Sequence, residues 1–305
     1  MTTRRREFLS QTSTLSALSV LAACSKGGGS SAAARAIRTT PPGKPLTPPA
    51  GAIPVAFVLS EGAQVIDFCG PWEVFQDVRI PARGDVPVFT LYTVAEALAP
   101  IRASGGMTIV PSYTFATAPP PKVIVVAAQS SRTEPLLSWL RDQSKTTDVT
   151  MSVCTGAFVL AAAGLLSGRA ATTYHGALGE LAAANPDVKI ERGMRFVEDG
   201  NVASSGGLSA GIDLALRVVE RYFGRDVAAA TAYMLEYQGE GWRDPASNVA
   251  WKTVRSATPG MAACPVCGMD VDPKIALHET YGGADYYFCS DHDRASFDAA
   301  PQQYT

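Results

Sequence analysis

Six cysteines and three histidines carry most of this chain's capacity for nucleophilic or metal chemistry, and the cysteines occupy unlike settings. Cys154 closes the apolar run VTMSVC and is followed by Thr155, Gly156 and an Ala/Leu-rich stretch. A cysteine on a sharp strand-to-helix turn is lifted above its sheet. The amide dipoles of the helix start beneath it should lower the thiol pKa and favour the nucleophilic thiolate. Gly156 lets the backbone pass closely there, and Thr155 brings a hydroxyl beside the sulfur. The alternative is a packed structural cysteine, since free Cys is among the most buried residue types.

A second setting lies near the C-terminus. Cys264 and Cys267 form a CxxC knuckle, and Cys289 follows the aromatic run Tyr286-Tyr287-Phe288. Three thiolates suit a soft or borderline metal such as Zn or Cu, with Asp293 or its neighbour His292 completing the set and His278 more remote. A disulfide or redox pair between Cys264 and Cys267 is the competing reading for an exported protein.

Export is expected from the N-terminus. Arg4, Arg5 and Arg6 precede an apolar, Ser/Thr-containing stretch that is too short and polar to span a bilayer. RRREFL resembles a twin-arginine signal, and LAAC resembles a lipobox in which Cys24 becomes lipidated. An ordinary secretory signal with an incidental cysteine is the alternative. The lipoprotein reading places the mature chain on the periplasmic side of the envelope, with membrane contact only through the lipid anchor. Residues 25–53, rich first in Gly/Ser and then in Pro, read as a tether.

The elements that must position these residues follow. Short β-branched runs at residues 54–60, 88–95, 123–128 and 149–154 read as central parallel strands. Helical stretches are expected at 71–78, 134–143, 156–166, 176–184, 208–223 and 227–237, and residues 189–207 read as a hairpin turning at Asp199-Gly200. The alternation implies an α/β fold, a doubly wound, mainly parallel sheet over residues 54–256, with ligand sites beyond the carboxyl ends of the strands. A small cysteine-rich module follows at 260–305. Residues 1–53 hold seven Lys/Arg against one acidic residue, so positive charge sits in the leader and linker. No basic stripe with interleaved aromatics appears, which argues against nucleic acid as a partner.

Three segments, VIDFCGPWEVF, SVCTGAFVLAAAGLLSGRAATTYH and SSGGLSAGIDLALRVVERYFG, occur in the order found in the PfpI/ThiJ superfamily. The chain resembles that flavodoxin-like, class I glutamine amidotransferase-like group, and especially its isonitrile hydratase-like branch. The resemblance implies Cys154 as nucleophile, Asp67 as the carboxyl that handles water, and Thr155 as the residue beside the nucleophile. It implies thiolate attack on an electrophilic carbon such as that of an isonitrile, and hydration to an N-substituted formamide, with no cofactor for the α/β domain. A carboxyl beside a thiolate is compatible with this chemistry if burial keeps it protonated.

Glu73, His175, Gly206 and Gly207 are further candidates. Glu73 follows a Gly-Pro turn and also suits a helix surface. His175 could orient chemistry at the site or be structural, and the Gly-Gly pair serves a tight turn near it. The superfamily's Gly-Gly pair after the third strand reads AAQSS here, which puts the oxyanion geometry in doubt. Cys69 could pair with Cys154 or be packed. The tail, with CPVCGM, YYFCS and a closing Pro-x-x-Tyr, resembles a YHS domain whose usual fourth cysteine is replaced by Asp293. Three functions remain open: a hydratase or hydrolase of a small molecule, a ligand- and metal-binding protein without turnover, and a peptidase, the last weakened by the lack of a clear Cys-His pair. Relatives commonly dimerise, so a homodimer is expected.

Overall fold

The run IPVAFV forms strand β1 (Ile53–Val58), and all of it but Pro54 is buried. Alternate side chains feed two separate cores. Val55 and Phe57 join Phe75, Met151, Leu214 and Val218 on one face, whereas Ala56 and Val58 join Ile124, Leu140, Leu160 and Leu181 on the other. Burial on both faces is what a continuous apolar run requires. The computed structural model describes residues 43–251 and 257–304. Cys24, the arginine-rich signal, the lipobox and the boundary near residue 256 lie outside the described residues.

A seven-stranded sheet organises the body. Its strands are β1, β2 (Phe89–Ala95), β3 (Tyr113–Thr114), β4 (Val123–Val126), β5 (Val149–Ser152), β6 (Phe196–Asp199) and β7 (Val202–Ser205), in spatial order β6-β7-β5-β4-β1-β2-β3. Every neighbouring pair is parallel except β6–β7, the expected hairpin, whose turn residue Gly200 has φ +66°. Helices α1 (Val65–Gln76), α5 (Ala210–Phe223) and α6 (Arg225–Met234) contribute to the first core. Helices α2 (Glu134–Gln143), α3 (Ala157–Ala162) and α4 (Leu178–Ala184) contribute to the second. Strand order reverses about β1, so the loops after β1, β4 and β5 share the crevice where doubly wound folds bind ligands.

Helix α1 departs from expectation. It starts at Val65, not at residue 71, and Pro71 lies inside it, buried. Asp67 and Glu73 are therefore on one helix, and no Gly-Pro turn separates them. Proline in a helix interior forfeits one hydrogen bond, and here the ring is packed into the body: it lies close enough to Gly211 of α5 that a Cβ there would meet Pro71 Cγ at 3.4 Å.

The end of the Pro-rich segment is held against the body. Leu46 N–H donates to the Arg221 carbonyl at 2.7 Å, and Arg221 Nε donates to the Lys44 carbonyl at 3.0 Å. Glu198 ties this corner together, accepting from Arg217 Nε and Arg221 Nη1, each at 3.0 Å.

The tail builds its own small core from Cys264, Val266, Phe288 and Phe297. A hairpin, β8 (Leu277–Tyr281) with β9 (Ala284–Phe288), leads into helix α7 (Asp291–Ala299), whose N-cap Ser290 accepts from Asp293 N–H. No helix among the described residues is long and apolar enough to cross a membrane.

Candidate functional site

Cys154 follows β5 after one intervening residue, Val153, with φ +54°, a left-handed conformation that few side chains other than Asn and Asp adopt readily. The elbow is held from three sides. Cys154 N–H donates to the Gly206 carbonyl at 3.1 Å, Thr173 Oγ1 donates to the Cys154 carbonyl at 2.8 Å, and Val153 N–H donates to the Val126 carbonyl at 3.0 Å. Gly156 is required by contact: a Cβ there would sit 2.3 Å from the Val126 carbonyl oxygen and 2.9 Å from that of Ala127. Both obstacles are backbone, so neither can yield.

The thiol is nearly covered, with 8% exposure, and its pKa is pushed up to about 11. Burial is the largest cause and the Asp67 carboxylate the next; the Thr155 and Leu208 N–H groups and the Thr155 hydroxyl oppose them. The expected exposed, low-pKa thiolate is thereby corrected. Two physical reasons account for it. Helix α3 has only six residues and so a small dipole, and desolvation of an anion outweighs a few amide dipoles.

Asp67 explains how such a thiol could still be used. Its side chain is completely buried on the first turn of α1, and burial raises its pKa to about 7. Oδ2 accepts from Ala128 N–H at 2.9 Å, while Oδ1 has no hydrogen-bond partner among the described residues. A carboxyl with one lodged oxygen and one idle buried oxygen is equipped to take up or give back a proton near neutrality. The AAQSS loop thus supplies the amide that seats Asp67, and Gln129 of the same loop accepts from Ser60 Oγ at 2.8 Å.

The other sequence candidates divide. Thr155 brings its N–H and its hydroxyl to the sulfur, as expected of a neighbour. Gly206 receives the Cys154 N–H, and Gly207 lies under the Tyr174 ring, where a Cβ would meet Cδ2 at 2.8 Å. Glu73 is exposed and accepts from Gln76 Nε2 at 2.9 Å, so it is a helix-surface residue outside the site. His175 serves the tail: its Nε2–H donates to the Cys267 carbonyl at 3.3 Å. Cys69 packs against the first core, and Cys69, Cys154, Cys264, Cys267 and Cys289 are all free thiols. Leu208, Ala128, Thr173 and Tyr174 were not singled out by sequence. The first two act through backbone amides, which residue type does not encode; the others sit in ATTYH, where only the histidine draws the eye.

The tail assembles the predicted thiols. One donor atom from each of Cys264, Cys267, Cys289 and Asp293 falls within 4.8 Å of every other. Gly268 at φ +76° turns the knuckle, with Gly268 N–H donating to the Cys264 carbonyl at 2.9 Å. Asp293 Oδ2 is 3.3 Å from Cys264 Sγ and 3.2 Å from Cys289 Sγ, and Cys267 Sγ is 3.5 Å from Cys289 Sγ. A tetrahedral centre with thiolate ligands at about 2.3 Å needs donors roughly 3.8 Å apart, so this set fits a thiophilic ion with no large rearrangement. His292 is not part of it. It is exposed and pairs with Glu180 at 3.3 Å, because one step along α7 from Asp293 turns it by about 100°, away from the thiols.

Residues 54–221 match the model of the DJ-1/PfpI family, and residues 262–305 match that of the YHS domain. The chain is similar to isonitrile hydratase of Pseudomonas putida, with 34% identity over 194 residues, 61% of this chain and 79% of that one. It is also similar to the HTH-type transcriptional regulator GbdR of Pseudomonas aeruginosa, with 28% identity over 49% of this chain and 48% of that one. Among solved structures, a ThiJ/PfpI family protein from Pseudomonas syringae superposes with a TM-score of 0.55 at 28% identity, covering 62% of this chain and 77% of that one.

Proposed function

The chain belongs to the DJ-1/PfpI family, and from that membership we propose that it is a cysteine-dependent hydratase of a small molecule with an isonitrile-like electrophilic carbon. One observation carries the reading: an elbow cysteine at φ +54° within electrostatic reach of a fully buried carboxyl whose second oxygen is idle. The similarity to isonitrile hydratase supports the choice of reaction.

The steps follow from the protonation states. Cys154 starts as the thiol and Asp67 as the carboxylate above about pH 7. As the sulfur bonds to the terminal carbon of R–N≡C, its proton passes to Asp67 and then to that carbon, giving the thioimidate S–CH=N–R. Water next adds to the same carbon, one of its protons passing to Asp67 and the other to the nitrogen, which leaves the tetrahedral S–CH(O⁻)–NH–R. The C–S bond breaks, the proton on Asp67 returns to the sulfur, and R–NH–CHO leaves. Amides of Thr155 and Leu208 stabilise negative charge on the sulfur as the bond forms and breaks.

Export and lipid anchoring at Cys24 belong to the same proposal, which makes the enzyme periplasmic. The tail is proposed to hold Zn or Cu on Cys264, Cys267, Cys289 and Asp293. Such an ion would neutralise thiolates and stiffen the tail core, and the hydration steps do not pass through it. A second reading, a binding protein without turnover, is favoured by the similarity to a transcriptional regulator. The deciding experiment incubates the protein with simple alkyl and aryl isonitriles and follows formamide by proton NMR. Turnover lost in Cys154→Ala and Asp67→Asn supports the hydratase; saturable binding with no formamide supports the alternative.

A further inference from the structure

The tail does more than sit beside the α/β body. Tyr304 enters the body where α4 carries Gly179, and a Cβ at that glycine would lie 1.6 Å from the tyrosine oxygen. The Arg192 guanidinium lies 5.9 Å from the Tyr304 ring centre, and His292 pairs with Glu180. The docked tail then brings Cys267 against Gly176, where a Cβ would meet Cys267 Cβ at 3.3 Å.

Four consecutive residues connect this contact to the nucleophile. Thr173 holds the Cys154 carbonyl, Tyr174 lies on Gly207, His175 donates to the Cys267 carbonyl and Gly176 touches Cys267. A stretch of four residues spans at most about 14 Å, so the knuckle and the elbow are close neighbours. The Tyr174 ring is clamped between two glycines. Cβ atoms at Gly207 and at Gly176 would each approach it to 2.8 Å, and the Cβ at Gly176 would also meet Cys267 Cβ at 3.3 Å, so Cys267 and the ring lie on the same side of that glycine. Gly207 precedes Leu208, whose N–H faces the Cys154 sulfur.

We propose that the cysteine-rich tail is the outer wall of the Cys154 site, a specificity-determining element that presses Tyr174 onto Gly207 and restricts the site to small, slender substrates. The proposal rests on the reading of Cys154 as the reactive centre. Tyr174 is the positioning residue through which the wall acts, and Tyr304 is the anchor.

The test measures alkylation of Cys154 in the folded full chain, resolved by peptide mass spectrometry, with small iodoacetamide and bulky N-(1-pyrenyl)maleimide. Tyr304→Ala and Gly179→Leu loosen the anchor, Tyr174→Ala removes the ring, and Tyr304→Phe keeps the packing. The expected result is a rise of about tenfold in the pyrenylmaleimide rate in the first three variants, with the iodoacetamide rate changed by less than about twofold. Tyr304→Phe should behave as wild type. A general loosening of the body would move both reagents together, so the ratio of the two rates isolates the wall. An unchanged ratio in Tyr174→Ala and in both anchor variants overturns the inference while leaving the nucleophile intact. Failure of Cys154 to react with either reagent in every folded variant removes the reactive-cysteine reading, and the wall with it.

Discussion

Replacing Asp67 by asparagine tests the electrostatics of the site without touching the sulfur. The carboxyl is fully buried, and its pKa rises from 3.8 to about 7 because the protein desolvates the anion more than Ala128 N–H stabilises it. The folded state therefore keeps a proton that the unfolded chain releases near pH 4. Stability is lost as pH rises between these two values and is level above about 7. At roughly 1.4 kcal/mol per pH unit, the interval amounts to about 4 kcal/mol. Asparagine preserves the acceptor for Ala128 N–H and cannot ionise. Its urea-unfolding free energy, compared with wild type, should gain about 4 kcal/mol between pH 4 and pH 8.5, other titrations cancelling in the difference. Cys154 gives an independent check. The Asp67 carboxylate is one cause of its raised pKa, so the alkylation profile of Cys154 should move to lower pH in Asp67→Asn even as hydration is lost. A stability difference that stays flat with pH, within about 1 kcal/mol, would refute the account of Asp67 as a charge held against its preference.

Other expectations follow from the same geometry. Hydration by wild type should increase with pH through about 7, as Asp67 becomes the carboxylate that accepts the thiol proton, and kcat/KM against pH measures it. Gly156→Ala places a methyl group against two carbonyl oxygens that cannot move, so it should cost upwards of about 3 kcal/mol in chemical denaturation or prevent folding. Asp213, buried with Arg195 at 2.5 Å and accepting from the Tyr237 hydroxyl and from Trp242 N–H, should on change to alanine destabilise the body by about 3–5 kcal/mol, read by calorimetry. Cys264→Ser should lower bound Zn measured by elemental analysis and leave the main thermal transition of the α/β body in place.

Much of the fold is legible in the sequence, because strands covered on both faces must be apolar without interruption and parallel strands need intervening helices. Residues 123–126 and 149–152 are of this kind, and helix α2 falls on the bounds its pattern predicts. The sequence pattern starts helix α1 at Pro71, whereas the helix begins at Val65 and packing of the proline ring overrides local propensity. The elbow at Cys154 could be located from its strand–turn–helix texture, but the burial of the thiol could not. Desolvation in the folded body, joined by the charge of Asp67 far away in sequence, reverses the direction of the pKa. The histidines mislead for a related reason. His175 and His292 both contact residues across the seam between body and tail, and no local pattern announces such partners.

The clamp on residues 43–46 has a mechanical consequence. Helix α5 starts beside the residue that precedes the elbow cysteine, where a Cβ at Gly211 would meet Val153 at 2.8 Å, and Arg221, close to its other end, fixes Lys44 and Leu46. For a chain lipidated at Cys24, as proposed, tension on the leash is delivered to the Glu198–Arg217–Arg221 corner and spreads into β6 and α5.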